Sequence, residues 1–455
     1  MFTPISVIEG ITFPAVMEPR GALMLAMQYQ LEKAQWWTPE QILEHQMQQL
    51  QNVIHHAATT VPFYRELYQE ADIDINTIHT YEDFRKLPLA SREQIQTAEK
   101  DLISTDTPKD HGPLSNIQTS GSSGRIVKLK GTHITQLMWS VLALRYQLWH
   151  ELDHSGVYAS LRLMKDRDTN TPMITGNGWG QSSTIVTVTG KSIAMDIRTG
   201  VDEQIKFMLE NKINYLSTYP SNAVAIGREI HKRGLKPKLD KLFLFGETVT
   251  AEMREECELL FDAPVIDAYS CQEAGYIALQ CPSGHKQYHI QSEALLVEVL
   301  DENDMPCQTG EIGRVVISSL NNFATPLIRY DIGDYAEVGE ACDCGRGLPT
   351  LKRIMGRTRN MMVFPDGRTQ WPVMGVKKFD TIAPIKQFQL VQKTVNDILL
   401  RLVPARELTS KEEDKLRLHI QKSLGHPFNI QLQYEKELMR SDVNGKFEDF
   451  KSELL

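Results

Sequence analysis

Long apolar runs are missing from this chain of 455 residues. No stretch reaches the roughly 18 apolar residues of a membrane-spanning helix, so we expect no membrane span. Cysteine is also scarce, with six in the whole chain, which excludes a disulfide scaffold and makes the cytoplasm the expected location. Lys and Arg form no block and the net charge is −9, so the composition does not point to nucleic acid as a partner.

The first residues lack the pattern of a secretory signal. The segment from Met1 to Met24 is interrupted by Glu9, Glu18 and Arg20 and has no basic start, so it does not predict a signal peptide. The length exceeds what one compact core holds, which predicts two or three domains. The hydrophobic share of 41% and the charged share of 24% are typical of a globular protein.

Short apolar runs that alternate with helical patterns indicate α/β layers around a largely parallel sheet. Helices are expected at residues 41–66, 133–152, 221–233 and 250–260. A capped helix is expected to start at Thr80, with Asp83 three positions on. Strands are expected at residues 183–188, 215–217, 242–245 and 265–268. The pattern from 288 to 336 is β-rich and predicts a small subdomain.

The last hundred residues change character. Strand-like runs at 387–391 and 398–403 precede a helical pattern at 409–424, which predicts a small α+β domain. We therefore expect an α/β protein with a large multi-layer domain at residues 1–356, built on mixed or parallel sheets with a β-rich subdomain. A small, mobile C-terminal domain is expected at residues 357–455.

A Ser/Gly-rich stretch, Gln-Thr-Ser-Gly-Ser-Ser-Gly-Arg at residues 118–125, is the most informative motif. Glycine permits close backbone approach, and hydroxyl and N–H groups donate to phosphate oxygens. The stretch is not the Gly-x-x-x-x-Gly-Lys-Ser/Thr loop of many nucleotide-binding proteins, because no Lys follows its last Gly. Taken alone, it is also compatible with an ordinary surface loop.

Five further segments follow this loop along the chain. They are 245–248 (Phe-Gly-Glu-Thr), 267–273 (Asp-Ala-Tyr-Ser-Cys-Gln-Glu), 329–334 (Arg-Tyr-Asp-Ile-Gly-Asp), 354–359 (Ile-Met-Gly-Arg-Thr-Arg) and 444–446 (Asn-Gly-Lys). Their order and spacing resemble the adenylate-forming superfamily of acyl-CoA ligases and adenylation domains, and within it the phenylacetate–CoA ligase family. Segments 61–65 and 84–89 are similar to the opening of that family. The resemblance extends from about residue 48 to residue 446.

This resemblance implies activation of a carboxylic acid by ATP and Mg²⁺. The carboxylate attacks the α-phosphate, pyrophosphate leaves, and the acyl-adenylate passes its acyl group to a thiol. Negative charge builds on phosphate, so catalysis is mainly positioning and electrostatic stabilisation. The expected acid is aryl or arylacetic, and the expected acceptor is CoA. A carrier-protein thiol or an amine as acceptor, a non-catalytic nucleotide-binding relative, and a homodimer all stay open.

The resemblance also assigns residues to the nucleotide. The β- and γ-phosphates would be held by Thr119, Ser120, Gly121, Ser122, Ser123 and Gly124. The adenine site would be lined, mostly through backbone, by Gly246, Glu247 and Thr248. Tyr269 would stack on adenine and Asp267 would meet its amino group. Asp334 would accept hydrogen bonds from the ribose hydroxyls.

Three further residues are implied in catalysis. Glu273 would hold Mg²⁺, Arg357 would reach the ribose or the phosphate, and Lys446 would stabilise the reacting oxygens as a point charge. Each alone is more often a surface or turn residue, and the order of the set favours the functional interpretation. The acid is expected near residues 176–179 and 219–221, where Trp179 is either a stacking partner or part of the core.

Some positions depart from the family pattern. Gln272 stands where a Ser or Thr normally precedes the acidic residue, which weakens a second phosphate or Mg²⁺ contact. Arg359 stands where the family has the Asp that acts as a hinge for the small domain. The hinge and the swing of that domain to a thiol-transfer orientation are therefore not assigned by the sequence.

A second cluster has the chemistry of a metal site. Cys281, His289, Cys342 and Cys344 fall in or beside short Gly-containing turns, and three Cys with one His is a common structural Zn²⁺ set. His285 is an alternative fourth ligand. Four protein ligands leave no open position, so a structural role is expected. The competing interpretation is that Cys281 is a buried apolar thiol and the Cys-x-Cys pair is incidental.

Overall fold

A computed structural model describes residues 3–119, 126–164, 173–357, 360–372, 379–441 and 444–454. The helices are α1 Pro19–Ala34, α2 Pro39–Thr60, α3 Pro62–Glu70, α4 Tyr81–Phe84, α5 Arg92–Ala98, α6 His133–Trp149, α7 Gln181–Thr184, α8 Val201–Asn211, α9 Pro220–Lys232, α10 Ala251–Phe261, α11 Phe379–Ile382 and α12 Ser410–Leu424. None of the helices in these ranges is long and apolar enough to cross a membrane.

The strands alternate with these helices in the first half of the chain and then follow one another. They are β1 Ser115–Gln118, β2 Lys128–Gly131, β3 Tyr158–Arg162, β4 Met173–Gly176, β5 Ser192–Asp196, β6 Tyr215–Thr218, β7 Lys241–Leu244, β8 Val265–Cys271, β9 Gly275–Gln280, β10 Tyr288–Ile290, β11 Leu295–Leu300, β12 Ile312–Ser319, β13 Tyr330–Val338, β14 Thr350–Arg357, β15 Met362–Val363, β16 Thr369–Gln370, β17 Ile385–Gln392, β18 Asp397–Pro404, β19 Asn429–Tyr434 and β20 Phe450–Ser452.

One sheet of twelve strands organises the large part of the molecule, in the order β11-β12-β13-β14-β10-β9-β8-β7-β6-β3-β5-β4. The neighbours from β5 through β3, β6 and β7 to β8 run parallel, as βαβ connections through α8, α9 and α10 require. From β8 onward the pairs are antiparallel. The α/β fold with a mixed sheet is confirmed, and the β-rich segment continues the same sheet.

A separate four-stranded sheet forms near the C-terminus, in the order β19-β18-β17-β20. The central pair β17 and β18 is antiparallel, and both outer strands are parallel to their neighbours. The apolar face of α12 covers it with Leu416, Ile420 and Leu424, which pack against Leu390 and Leu400. Both predicted strands and the predicted helix of this segment are therefore present. Thr409 and Glu412 form the capping box that starts α12.

One predicted strand is wrong. Residues 183–188 are rich in β-branched side chains, yet the segment contains the end of α7 and a loop. Its polar groups are satisfied from elsewhere: the Ser183 hydroxyl donates to Gln147, and the Thr187 hydroxyl donates to the carbonyl of Thr3. Tertiary partners override local β propensity here, and the next strand, β5, starts at Ser192.

A buried ion pair fastens the N-terminal helices to the antiparallel half of the sheet. Arg329 and Glu298 expose only 4% and 1% of their side chains, and the Arg329 Nε lies 3.1 Å from the Glu298 carboxylate. Arg329 also donates to the carbonyls of Arg85 and Leu87, which follow α4. Since all of these donors and acceptors are withdrawn from water, the pair fixes the segment that leads into α5 against β13.

We expect Glu298→Ala to lower the free energy of unfolding by about 3–5 kcal/mol, because it leaves the buried Arg329 guanidinium without its partner charge. The midpoint of urea unfolding measures this loss. Glu302→Ala is the matched control, since Glu302 lies exposed in the turn after the same strand. Equal urea midpoints for the two variants would contradict a contribution of this ion pair to the stability of the fold.

Candidate adenylate site

The Ser/Gly loop is presented by a hairpin of β1 and β2. Thr119 is buried at its base, where its backbone N–H donates to the Val127 carbonyl over 3.0 Å. The Thr119 hydroxyl accepts from the Val127 N–H, also over 3.0 Å. Ser120, Gly121, Ser122, Ser123 and Gly124 lie outside the described residues, so their phosphate contacts stay a prediction.

Glu273 occupies the turn between β8 and β9 and is 7% exposed. Its carboxylate forms a 3.0 Å ion pair with Arg92, at the start of α5. The same guanidinium nitrogen donates to the Tyr330 hydroxyl over 3.0 Å. Sequence reasoning missed Arg92; the only available signal was its position just after the family-like segment 84–89. Glu273, the predicted Mg²⁺ ligand, is therefore paired with the positive charge of Arg92 in this structure.

Asp334, Arg357 and Tyr269 come together at neighbouring strands. The Arg357 Nε lies 3.3 Å from one Asp334 oxygen, and the Tyr269 hydroxyl donates to the other over 2.9 Å. Asp334 and Arg357 are direct partners in the β13–β14 ladder, which is why residues 23 positions apart meet. Burial, and next the Asp334 carboxylate, raise the pKa of Tyr269, so its hydroxyl stays protonated and donates.

Asp267 is held by contacts within the protein. The Tyr288 hydroxyl donates to its Oδ2 over 2.6 Å, and the guanidinium of Arg254 lies 3.6 Å from the same oxygen. Burial raises the pKa of this carboxyl, with Arg254 acting in the opposite direction. Its contact with an adenine amino group stays a prediction.

Gly246, Glu247 and Thr248 follow β7 at the carboxyl edge of the parallel strands. Gly246 has φ +82°, and a Cβ there would lie 2.9 Å from the Tyr219 ring. The Glu247 carboxylate accepts a 3.0 Å hydrogen bond from the N–H of Ser221, at the start of α9. A Cβ on Gly356 would lie 2.9 Å from the Thr248 hydroxyl, so the ends of β7 and β14 converge.

Lys446 reaches this edge from the far end of the chain. A Cβ on Gly246 would lie 3.7 Å from its Cε. Burial, and next the charge of Arg357, lower the pKa of Lys446, while the carboxylates of Asp334, Glu247 and Glu448 act against that shift. In open α/β sheets ligands bind at the carboxyl ends of the strands, where this group of charges lies.

Trp179 lies near the amino ends of the parallel strands, opposite the carboxyl ends where the charged group lies. Its indole N–H donates to the Gly156 carbonyl over 2.9 Å, and its ring packs 5.4 Å from Tyr158 and 5.3 Å from Tyr215. Tyr158 and Tyr215 begin β3 and β6, opposite the carboxyl ends that carry the charged group. The core interpretation of Trp179 is therefore the correct one. Tyr219, by contrast, touches Gly246 and lies at the site.

The predicted metal ligands meet in space. One ligand atom from each of Cys281, His289, Cys342 and Cys344 lies within 4.8 Å of every other. The sulfurs of Cys281 and Cys342 are 3.7 Å apart, and the Cys344 sulfur is 3.3 Å from His289 Nε2. Burial lowers the pKa of His289 to about 4, so the ring is neutral, and its Nδ1 lies 3.4 Å from the Leu348 carbonyl. His289, and not His285, belongs to this group.

The chain is similar to known proteins in sequence and in fold. A family model described as the CapK C-terminal domain matches residues 375–453. The phenylacetate-coenzyme A ligase of Thermus thermophilus is 24% identical over 346 residues, covering 71% of this chain and 72% of that protein. The enzyme of the same name from Pseudomonas putida is 21% identical over 338 residues, covering 70% and 71%.

Among solved structures, 2-hydroxyisobutyryl-CoA ligase in the postadenylation state aligns with a TM-score of 0.72 at 17% identity, covering 93% of this chain and 92% of that one. The same enzyme in the thioesterification state, with adenylate and CoA, gives 0.61 at 18% identity, with 92% and 91% covered. The chain shares the fold of this enzyme. Its sequence is distantly similar to those of the two phenylacetate-coenzyme A ligases.

One half-buried carboxyl in the same segment as Lys446 predicts a pH dependence. Burial, and next the Glu247 carboxylate, raise the pKa of Asp449 to about 7. An Asp in the unfolded chain titrates near about 3.9, so the folded protein keeps a proton that the unfolded chain loses. The stability from this proton is complete below about pH 4 and is lost as pH rises through about 7.

We therefore expect Asp449→Asn to flatten the decline in unfolding free energy between pH 6 and pH 8 by about 1 kcal/mol. Urea unfolding at both pH values measures the difference. Asp397→Asn is the control, because hydrogen bonds from Thr394 and Asn429 lower the pKa of that exposed carboxyl. A wild-type slope retained in Asp449→Asn would show that another group titrates.

Proposed function

We propose that the protein activates an aryl or arylacetic acid with ATP and passes the acyl group to CoA. The observation that carries the proposal is that the Asp334–Arg357 ion pair and the Lys446 side chain, which lies beside Gly246, occupy the same carboxyl edge of the parallel strands. Beside a nucleotide, the two cations offset the charge that builds on phosphate.

The residues divide the work between binding and charge stabilisation. Asp334 accepts the two ribose hydroxyls, and Tyr269 offers its ring to adenine while its hydroxyl orients Asp334. The acid's carboxylate oxygen attacks the α-phosphorus, the bond to the bridging oxygen breaks, and pyrophosphate leaves into the 119–124 loop. Lys446 stabilises the charge on the reacting oxygens as the new bond forms.

Glu273 fits the role of a Mg²⁺ ligand. Mg²⁺ commonly takes one or two carboxylates together with substrate phosphates, and Glu273 is a buried carboxylate at the turn beside the site. Its partner Arg92 balances the charge of Glu273 in the free protein. When bound, Mg²⁺ supplies Lewis-acid stabilisation of the phosphate oxygens.

An aromatic wall near this turn supports the aryl acid. The Trp139 ring on α6 lies 5.8 Å from Tyr276, and a Cβ on Gly275, two residues after Glu273, would lie 3.1 Å from the Trp139 ring. Tyr146 is 5.9 Å from Tyr276 and 5.5 Å from Phe243. Such rings pack well against an aryl group. The names of the two sequence relatives point to the same substrate class.

Residues 357–455 are proposed as the small domain that carries Lys446, with residues 1–356 as the large one. The large sheet ends with β14 at Arg357, and the next sheet strand of the small domain, β17, begins at Ile385. Arg359, in the position of the family's hinge Asp, lies outside the described residues.

Carboxylate-dependent exchange of pyrophosphate into ATP tests this function over a panel of aryl, arylacetic and aliphatic acids. We expect exchange with an aryl or arylacetic acid, thioester on addition of CoA, and a loss of about 100-fold or more in Lys446→Ala. Lys436→Ala, at an exposed position of the same domain, is the control.

Three other outcomes of these exchange measurements would contradict the proposal in different ways. Absence of exchange with any acid would favour a non-catalytic nucleotide-binding protein. Exchange without thioester would favour a carrier protein or an amine as acceptor. Full exchange in Lys446→Ala would remove the lysine from the mechanism.

The Cys₃His group is proposed as a structural Zn²⁺ site. Two sulfurs bound to tetrahedral zinc at about 2.3 Å lie about 3.8 Å apart, close to the Cys281–Cys342 separation. The four ligands join the end of β9, β10 and the loop between β13 and β14, so the ion would staple three parts of one sheet. A full ligand set gives the ion no part in the acyl transfer.

We expect about one zinc per chain in the purified protein. Cys342→Ser is expected to lose the ion and lower the urea midpoint, whereas Cys307→Ser, outside the cluster, keeps both. Elemental analysis and unfolding curves measure this. Metal-free protein with an unchanged midpoint would mean that the thiols pack without an ion.

A further inference from the structure

We propose that Glu247 is a positioning residue that docks the Lys446 turn, by joining the start of α9 to the backbone beside the lysine. This inference rests on the proposed function for its kinetic consequence. Its structural part concerns only how the C-terminal segment is held against the large sheet.

The Glu247 carboxylate makes contacts on both of its oxygens. Oε2 accepts from the Ser221 N–H at 3.0 Å, while Oε1 accepts from the Phe447 N–H at 2.6 Å. Arg440 also donates to Oε1 over 3.2 Å. The Glu247 side chain is 8% exposed, so these charge-assisted bonds are shielded from water. One carboxylate therefore links two segments more than two hundred residues apart.

The turn around Lys446 is closed by its own hydrogen bonds. The Gly445 N–H donates to the Ser441 carbonyl over 2.7 Å, and the Ser441 N–H donates to the Lys446 carbonyl over 3.0 Å. The Lys446 N–H donates to the Asn444 side chain over 3.0 Å. Because Phe447 is the next residue, anchoring its N–H fixes the backbone from which the lysine side chain extends.

Two further contacts seat the same turn on the large sheet. The Tyr219 hydroxyl donates to the Asn444 carbonyl over 2.9 Å. Gly445 has φ +71°, and a Cβ there would lie 3.0 Å from Leu163 and 3.2 Å from the Tyr219 hydroxyl. Only a residue without a side chain fits this close approach without displacement. Arg440 adds a 3.3 Å bond to the Gly445 carbonyl.

A docking role and an adenine-lining role for Glu247 predict different effects of its loss. If Glu247 docks the turn, its loss misplaces Lys446 and slows the adenylation step while ATP still binds. If its main task is to line adenine, its loss weakens ATP binding. The amide of Gln offers one acceptor oxygen and an NH₂ group, so Glu247→Gln sets a donor against a backbone N–H.

The test compares Glu247→Gln with Glu229→Gln, which removes an acid from the exposed side of α9, where it pairs with Arg233. Hydrogen–deuterium exchange of peptides covering 440–450 is measured without substrates. We expect amide exchange about tenfold faster or more in Glu247→Gln, in line with the loss of a charged hydrogen bond, and unchanged in Glu229→Gln.

The kinetic arm uses ATP–pyrophosphate exchange with the acid that is active in the panel. We expect kcat to fall about tenfold or more in Glu247→Gln while KM for ATP holds, and thioester formation from supplied acyl-adenylate and CoA to continue at the wild-type rate. Arg440→Met, which removes one of the three donors, is expected to give a smaller effect in the same direction. It also provides the test if Glu247→Gln does not fold.

Two results would overturn the proposal. One is wild-type amide exchange at 440–450 in both variants. The other is a raised KM for ATP with kcat unchanged, which would return Glu247 to the adenine site. If no acid supports exchange in the wild-type protein, the proposed function fails, and the hydrogen-exchange arm still decides whether Glu247 holds the turn.

Discussion

The candidate site depends on the balance of charge around one ammonium group. Lys446 is half-buried and lies within electrostatic reach of Arg357, an arrangement that is unfavourable unless nearby carboxylates compensate it. Asp334 and Glu247 provide that compensation, and each is held by further partners: Asp334 by Tyr269 and Arg357, Glu247 by backbone N–H groups. The same contacts that stabilise the charge thereby define the shape of the site.

The large sheet makes this arrangement possible because two kinds of strand meet in it. Its parallel half delivers Gly246 and Tyr269 at carboxyl ends, and its antiparallel half delivers Asp334 and Arg357 as ladder neighbours. The Cys₃His group lies toward the other ends of β9 and β10, where a bound ion would tie these strands together.

The sequence predicted more of the site's membership than of its contacts. Asp334, Arg357, Tyr269 and Lys446 were identifiable because short motifs kept their order, and two of them pair through strand register. Arg92 was not, because its bond to Glu273 joins positions 181 residues apart and no local pattern marks it. The role of the Glu247 side chain was hidden for the same reason. The strand expected at 183–188 is absent because polar groups of this β-branched segment find side-chain partners such as Gln147 outside any sheet.

The central claim is that Lys446 and Asp334 contact the same nucleotide. A crystal structure of the protein with a non-hydrolysable ATP analogue tests it directly. We expect ribose hydroxyls within hydrogen-bonding distance of Asp334, the α-phosphate facing Lys446, and the terminal phosphates against the 119–124 loop. A nucleotide bound elsewhere on the sheet, or one bound here with Lys446 withdrawn from its phosphates, would contradict it.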